Sequence, residues 1–129
     1  MRTLMGVVSD RGSKYAVSGG DAAAREDVDA FLKSLKRKKK FARATHNSWA
    51  VLGADGVPLK SDDGEAGAGA VILRMLERED VRDHVIVVTR WYGGRPLGGD
   101  RFRHVQDCVR AYLETRQEAR PWPQLRVFP

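Results

Sequence analysis

The feature of this sequence that most constrains the fold is an unbroken apolar run that ends in a charged residue. Residues 85–88 read VIVV, four β-branched side chains in succession, and Thr89 and Arg90 follow. Such a run needs apolar cover on both faces, which a strand in the interior of a sheet receives. Two Gly-Gly pairs then come at 93–94 and 98–99, ahead of a helical pattern. The stretch predicts a buried strand that reverses through a glycine-rich turn into a helix.

Three segments space their apolar residues as amphipathic helices do. The first follows Asp21, which we expect to cap it, the second runs from 66 to 79, and the third starts at Asp100 as its cap. Each of these helices shows one apolar face. Together with the interior strand, they predict an α+β domain of two layers, in which the helices pack on one face of a mixed sheet.

The remaining segments predict shorter elements and a tail. Residues 6–17 and 44–52 read as a hairpin and a further strand, and 60–64 as a polar loop. At 129 residues the whole chain has the size of a single domain. Residues 118–129 hold three of the five prolines together with apolar side chains such as Trp122. We expect this Pro-rich tail to dock on the body of the domain.

Hydropathy and cysteine content exclude several classes of protein. The opening apolar run, 4–8, is too short for the core of a signal peptide, and no window approaches the ~18 apolar residues of a membrane span. Cys108 is the single cysteine, which excludes an intramolecular disulfide and a multi-cysteine zinc site. We therefore predict a cytoplasmic protein that has no membrane partner.

The positive charge of the chain is concentrated in one segment, which we name the basic patch. It comprises seven cations with no acidic residue among them: Lys33, Lys36, Arg37, Lys38, Lys39, Lys40 and Arg43. Because the formal net charge is +6, the rest of the chain is close to neutral. A cationic stripe on a neutral body suits a polyanion or an acidic protein face. The alternative is that these lysines only complement the dipole at the end of a helix.

The residues around the glycine-rich turn allow several kinds of site. The glycine pairs lack the Lys-Ser/Thr of a nucleotide-binding loop, so a tight structural turn is favoured. Arg90 ends a buried strand and needs a partner, which Asp62, Asp63 or Glu65 can provide. A metal site is not favoured, because these three carboxylates lack the spacing of a calcium-binding loop. We also expect no cofactor.

Acid–base chemistry has one candidate in this sequence. His46 can be poised near neutral pH if a carboxylate lies within reach. His84 and His104 have no metal-type spacing, and we expect Cys108 to be a core residue rather than a nucleophile. No convincing catalytic triad is present, so a binding protein is favoured over an enzyme.

Several separated motifs resemble those of one known family. They are SDDGEAGAG at 61–69, VVTRWYGGRPLGGDRFRHV at 87–105, Ser-Lys-Tyr at 13–15 and ATHN at 44–47. The chain is similar to the Impact family, whose domain is shared by bacterial YigZ-type proteins and the eukaryotic translational regulator Impact. The form RWYGG is closest to the eukaryotic branch. Ala66 departs from the proline that commonly follows DDGE in the family.

The resemblance implies a fold, a cleft and a link to translation. The implied fold is that of ribosomal protein S5 domain 2. The motifs would frame one cleft, formed by Lys14, His46, Asp62, Asp63, Gly64, Glu65, Arg90, Trp91, Tyr92, Gly93, Gly94 and Arg101. Eukaryotic members carry a further domain that binds an activator of the amino-acid-starvation kinase, and bacterial members a ferredoxin-like one. We expect this chain to have room for neither.

Three hypotheses for function remain. The first is a translation-linked regulatory module that binds RNA, the ribosome or a ribosome-associated protein through the basic patch. The second is a small metal-assisted hydrolase that uses His46 and the cleft. The third, implied by the resemblance, is a protein-only regulator of the starvation kinase.

Overall fold

A computed structural model describes residues 1–119, within which the chain forms five strands and four helices. The strands are β1 (Arg2–Asp10), β2 (Ser13–Asp21), β3 (His46–Leu52), β4 (Pro58–Ser61) and β5 (His84–Trp91). The helices are α1 (Arg25–Lys36), α2 (Lys39–Ala42), α3 (Ala68–Arg78) and α4 (Asp100–Ala119). The α+β class predicted from the sequence is confirmed.

The five strands form one sheet in the order β1-β2-β5-β3-β4. The predicted interior strand is confirmed, because β5 lies between β2 and β3 and residues 85–88 are almost completely buried. Each neighbouring pair is antiparallel, so the prediction of a mixed sheet is wrong. The β1–β2 and β3–β4 pairs are hairpins, in which the strands must run in opposite directions. The central strand β5 also runs opposite to both β2 and β3, so no parallel pair forms among the five strands.

Helices cover both faces of the sheet. On one face, α3 and α4 pack against Ile86 and Val88. On the other, α1 and α2 pack against Val85 and Val87. The prediction that all helices share one face is therefore wrong. The reason lies in the interior strand itself, since alternate residues of β5 point to opposite faces and both sets are apolar.

The two predicted capping residues have other roles. Asp21 is the last residue of β2 and does not cap α1, which has Ala24 at its N-cap position. The Asp27 carboxylate accepts the N–H groups of Ala23 and Ala24 at 2.9 and 3.0 Å instead. Asp100 is the first residue of α4, and its carboxylate binds the Arg11 guanidinium at 2.7 Å.

The two edge strands are irregular or short. The register of β1 shifts between Leu4 and Val8, where Gly6 has a φ of 63°. At the opposite edge, β4 has only four residues and begins with Pro58. It occupies part of the segment predicted as a polar loop. The hairpin and the strand predicted at 44–52 are confirmed as β1–β2 and β3.

Two sequence predictions concern the ends and the surroundings of the domain. The first is that the Pro-rich tail docks on the domain, and from residue 120 onward this tail lies outside the described residues. Within residues 1–119, no helix has the length and apolar character needed to cross a membrane.

Candidate functional site

Three neighbouring strands place Tyr15, Arg90 and His46 in one row on the face covered by α3 and α4. Arg90 on β5 lies opposite Tyr15 on β2 and opposite His46 on β3. Cross-strand partners in an antiparallel sheet point to the same face, so the three side chains are adjacent. Arg90 is only 5% exposed, although it carries a full charge. A charge at this depth needs a partner.

Glu65 is the partner of Arg90. The Nη1 of Arg90 donates to both carboxylate oxygens of Glu65, at 2.9 and 3.1 Å, and its Nη2 donates to the Ser13 hydroxyl at 3.4 Å. The guanidinium carbon also lies 5.8 Å from the ring of Tyr15 and 5.5 Å from that of Tyr92. The structure therefore places Arg90 in a buried ion pair with the SDDGE segment, as the sequence predicted.

The other two carboxylates of SDDGE have different partners. Asp62 accepts the N–H groups of Gly67 and Gly69 at the start of α3, at 3.0 and 2.8 Å. These bonds hold the pKa of Asp62 below its usual value, the bond from Gly67 having the largest effect. Asp63 accepts the N–H of Asn47 at 2.7 Å. Each of the three carboxylates thus has its own structural partner.

His46 lies next to this segment without joining a metal cluster. Its Nδ1 donates to the Asp63 carbonyl at 2.8 Å, and its Nε2 lies 3.9 Å from Glu65. Gly64 leaves room for the imidazole, because a Cβ there would come within 3.0 Å of Nδ1. No group of three metal-ligating side chains occurs among residues 1–119. The arrangement favours a structural role for these carboxylates over metal-assisted hydrolysis.

The glycine-rich turn packs directly on the β1–β2 turn. A Cβ on Gly93 would overlap the carbonyl of Gly12, and the Gly93 N–H donates to the Ser13 hydroxyl at 3.1 Å. Gly94 has a φ of 91°, a conformation that favours glycine. The predicted structural role of the glycine pairs therefore has two causes, close backbone approach at Gly93 and a left-handed turn at Gly94.

A cavity of about 410 Å³ opens beside Arg90. Its walls include Thr45 just before β3, His46 and Arg90 from the sheet, and Tyr92, Leu97 and Arg101 from the turn and α4. The sequence predicted His46, Arg90, Tyr92 and Arg101 for this cleft but missed the other four lining residues, Thr45, Pro96, Leu97 and Gly98. Thr45 stands directly before His46 in the ATHN motif, which was the available signal for it.

Lys14 and Trp91 lie on the opposite face of the sheet from Arg90. They are paired across β2 and β5, one position along from the pair formed by Tyr15 and Arg90. Since successive residues of a strand point to opposite faces, neither side chain lines the cleft for which it was predicted. They line a second cavity of about 520 Å³, together with Lys40.

The basic patch lies on the second face, at the end of α1 and on α2. All seven of its side chains are exposed, and within residues 1–119 none forms an ion pair. The short α2 is fixed by Phe41, which is buried, and by the Trp91 indole, whose Nε1 donates to the Lys40 carbonyl at 2.9 Å. These contacts hold the backbone of α2 in place, while the cationic side chains themselves are solvated.

The remaining candidates for chemistry are used in packing. His84 Nε2 and the Tyr112 hydroxyl are hydrogen-bonded at 2.7 Å in the interior, and His104 binds the Asp10 carboxylate at 2.7 Å. Burial raises the pKa of the Cys108 thiol to about 12. Burial thus disfavours the thiolate, the nucleophilic form, and the buried position of Cys108 agrees with the predicted core role.

Comparison with known proteins shows which sequences this chain is similar to. Residues 11–113 match the family model described as the Impact N-terminal domain. The Protein IMPACT homolog of Caenorhabditis elegans is 38% identical over 114 residues, which are 83% of this chain and 44% of that protein. Protein IMPACT of Bos taurus is 38% identical over 111 residues, 82% of this chain and 35% of that protein. The chain thus spans less than half of these relatives.

Two solved structures share the fold. A crystal structure of a hypothetical protein superposes with a TM-score of 0.74 at 24% identity, over 87% of this chain and 56% of that one. The structure of the two-domain translational regulator Yih1 gives a TM-score of 0.51 at 31% identity, over 84% of this chain and 44% of that one. The first of these supports the fold alone.

Proposed function

The chain belongs to the Impact family, as its motifs predicted, and on that premise we propose that it is a regulatory binding module of the translation apparatus that contacts RNA through the basic patch. The family supplies the link to translation, because one solved relative is described as a translational regulator. The patch supplies the mode of contact. A cytoplasmic location and a ribosomal or ribosome-associated partner belong to the same proposal.

The observation that carries the proposal is that none of the seven cations forms an ion pair within residues 1–119. Elsewhere in the described part of the chain, arginines such as Arg11, Arg82 and Arg110 pair with acids. The cations of the patch are instead available to neutralise phosphates, which releases the counterions condensed along the nucleic acid. This release is an entropic gain that grows with the number of phosphates contacted.

The geometry of α2 supports phosphate contacts rather than stacking on bases. The Trp91 ring already contacts Phe41 edge-on at 5.4 Å and lies 5.5 Å from the Lys40 ammonium. A base has no free aromatic platform at this position. We therefore expect RNA binding with little sequence preference.

A salt titration of RNA affinity tests the proposal. Alanine at Lys36, Arg37, Lys38, Lys39 and Lys40 removes the phosphate contacts, and the slope of log K against log salt should flatten by roughly 0.7–0.9 per lost contact. The measurement is fluorescence anisotropy with a labelled RNA, at five or more salt concentrations.

A matched pair of variants separates the patch from general charge. Lys38→Ala/Lys39→Ala and Arg74→Ala/Arg78→Ala each remove two exposed cations, and the second pair lies on α3, on the other face. Only the first double variant should flatten the slope. An unchanged affinity and slope in the five-residue variant would remove the RNA proposal.

The protein-only alternative is separated by a capture experiment with the same variants. The chain is used to capture ribosomal material with and without nuclease treatment. Capture that depends on the patch and disappears with nuclease supports RNA contact. Capture that depends on the patch and survives nuclease would assign the patch to an acidic protein face instead.

A further inference from the structure

We propose that the cavity beside Arg90 is a binding site for a small phosphate-bearing anion, separate from the basic patch. The cavity brings together Arg90, Arg101 and His46, and it has a volume of about 410 Å³. That volume lies within the range of pockets that hold small ligands. The inference goes beyond the proposed function, because it concerns a different surface and a different class of ligand.

The first argument is a shortage of acceptors around two guanidinium groups. Glu65 is paired with Arg90, but the Nε of Arg90 and the Nε of Arg101 are both buried and have no acceptor within residues 1–119. Arg101 makes one long hydrogen bond, 3.5 Å from its Nη2 to the Ala66 carbonyl, and no ion pair there. Buried donors without acceptors are costly. Because both Nε atoms are inaccessible to solvent, an oxyanion in the cavity would bind the terminal nitrogens of Arg101, whose one hydrogen bond within residues 1–119 is the long contact to Ala66.

The second argument is the position of α4. This 20-residue helix begins beside the cavity, and Gly98, just before its first turn, lines the wall. The N–H groups of Gly98 and Gly99 have no acceptor among the described contacts. The N–H groups of Asp100, Arg101 and Phe102 donate to backbone carbonyls, so the end of α4 contributes the partial positive charge of its dipole, which favours a phosphate.

The third argument is that the acidic residue at this helix end does not block the cavity. Asp100 directs its carboxylate to Arg11 at 2.7 Å and to Arg103 at 3.6 Å, and it is not among the residues that line the wall. Glu65 balances the charge of Arg90, whereas Arg101 has no acidic partner among residues 1–119. A planar guanidinium binds phosphate with paired, charge-assisted hydrogen bonds.

Tyr92 stands at the opening of the site. Its side chain is 49% exposed, and the ring lies over the Arg90 guanidinium at 5.5 Å. An exposed aromatic face beside a phosphate position is suited to a small ester that carries a flat group, as a nucleoside monophosphate does. Free phosphate and a phosphate ester share the chemistry that the arginines recognise.

A nuclear magnetic resonance titration of the isotope-labelled chain tests the site. Inorganic phosphate is added at constant ionic strength, with chloride as the reference salt. We expect saturable shifts of the amides of Thr45, Gly98 and Arg101, which border the cavity. Adenosine 5′-monophosphate is the second probe. Tighter binding than inorganic phosphate identifies an ester as the source, and equal binding identifies free phosphate.

Arg101→Met is the decisive variant, because the methionine keeps apolar contact with Phe102, whose ring lies 4.8 Å from the guanidinium carbon, and removes the donors. The affinity for inorganic phosphate should fall about tenfold or more, as expected for one lost charge-assisted hydrogen bond. Arg103→Ala removes an exposed cation from the same helical turn and should change the affinity less than about twofold.

Two results would overturn the site. The first is that phosphate produces no saturable shifts in the wild-type chain beyond those that the chloride reference produces. The second is an equal loss in Arg101→Met and Arg103→Ala, which would mean that phosphate only screens surface charge. The five-residue patch variant should bind inorganic phosphate as the wild type does, so failure of this site and failure of RNA binding are distinguishable.

Discussion

The two faces of this sheet use positive charge in opposite ways. On the face covered by α3 and α4, Arg90 is buried and paired with Glu65. On the face covered by α1 and α2, the basic patch is exposed and forms no ion pair with any other described residue. Charges of the first kind are tied to the stability of the fold, whereas charges of the second kind are available to a partner. The same residue type therefore predicts different phenotypes on the two faces.

The largest expected effect is at the buried pair. Arg90→Ala leaves Glu65 buried without its cation and should lower the free energy of unfolding by about 3–5 kcal/mol. Arg11→Ala is the control, since its pair with Asp100 has the same chemistry but is partly solvated, and it should cost less than about 1 kcal/mol. Urea titrations of both variants give the comparison. A wild-type midpoint for Arg90→Ala would show that the buried pair is not needed for stability.

Gly93→Ala should have the next largest effect. The new Cβ meets the backbone of Gly12, which cannot move aside as a flexible side chain does, and we expect a loss of about 1–3 kcal/mol. Gly99→Ala, where a Cβ meets nothing within 4 Å, is the matched control. Thermal unfolding followed by circular dichroism measures both. Equal unfolding temperatures for the two variants would contradict the close approach of the two turns.

Asp62→Ala tests the carboxylate that accepts backbone hydrogen bonds at the start of α3. Loss of its bonds from Gly67 and Gly69 should cost about 0.5–2 kcal/mol at pH 7, the range for a helix cap. The folded pKa of Asp62 is lowered, so its stabilisation is complete above the unfolded pKa of about 3.9 and is lost as the pH falls through the folded pKa. The difference between variant and wild type in urea titrations should therefore shrink in acid. A difference that stays constant down to pH 2 would assign the effect to packing.

The smallest expected effect on stability is at the basic patch. Single alanines at Lys38 or Lys39 should change the free energy of unfolding by less than about 0.5 kcal/mol, because both side chains are solvated. The same variants should weaken RNA binding at low salt. A stability loss as large as that of Asp62→Ala would contradict the claim that the cations of the patch do not contribute to the stability of the fold.

Much of the fold was predictable because burial leaves a clear pattern in the sequence. The run at 85–88 identified the central strand, and the helical spacings identified α1, α3 and α4. The same run also implied that both faces of the sheet need cover, although three amphipathic helices alone do not show how they divide between the faces. The short β4 carries too few apolar residues to be distinguished from a loop.

The site was predictable in part, and its limits have physical causes. A partner for Arg90 within SDDGE followed from the cost of a buried charge. The choice of Glu65 did not, since it depends on Asp62 binding the start of α3 and on Asp63, with a φ of 48°, turning toward β3. Lys14 was predicted for the cleft through the Ser-Lys-Tyr motif, but successive residues of a strand point to opposite faces, so a motif that places Tyr15 beside Arg90 directs Lys14 away from it.

The shape of the sheet edges limits how this domain can associate. A register shift at Gly6 interrupts β1, and Pro58 removes a backbone donor from the four residues of β4. An added strand would find an interrupted row of backbone hydrogen-bonding groups at β1 and a row of only four residues at β4. Neither edge is a good template for strand exchange, for pairing between copies or for growth of a fibre. Recognition is thereby left to side chains, which allows the surface to be retuned one residue at a time without a change in backbone pairing.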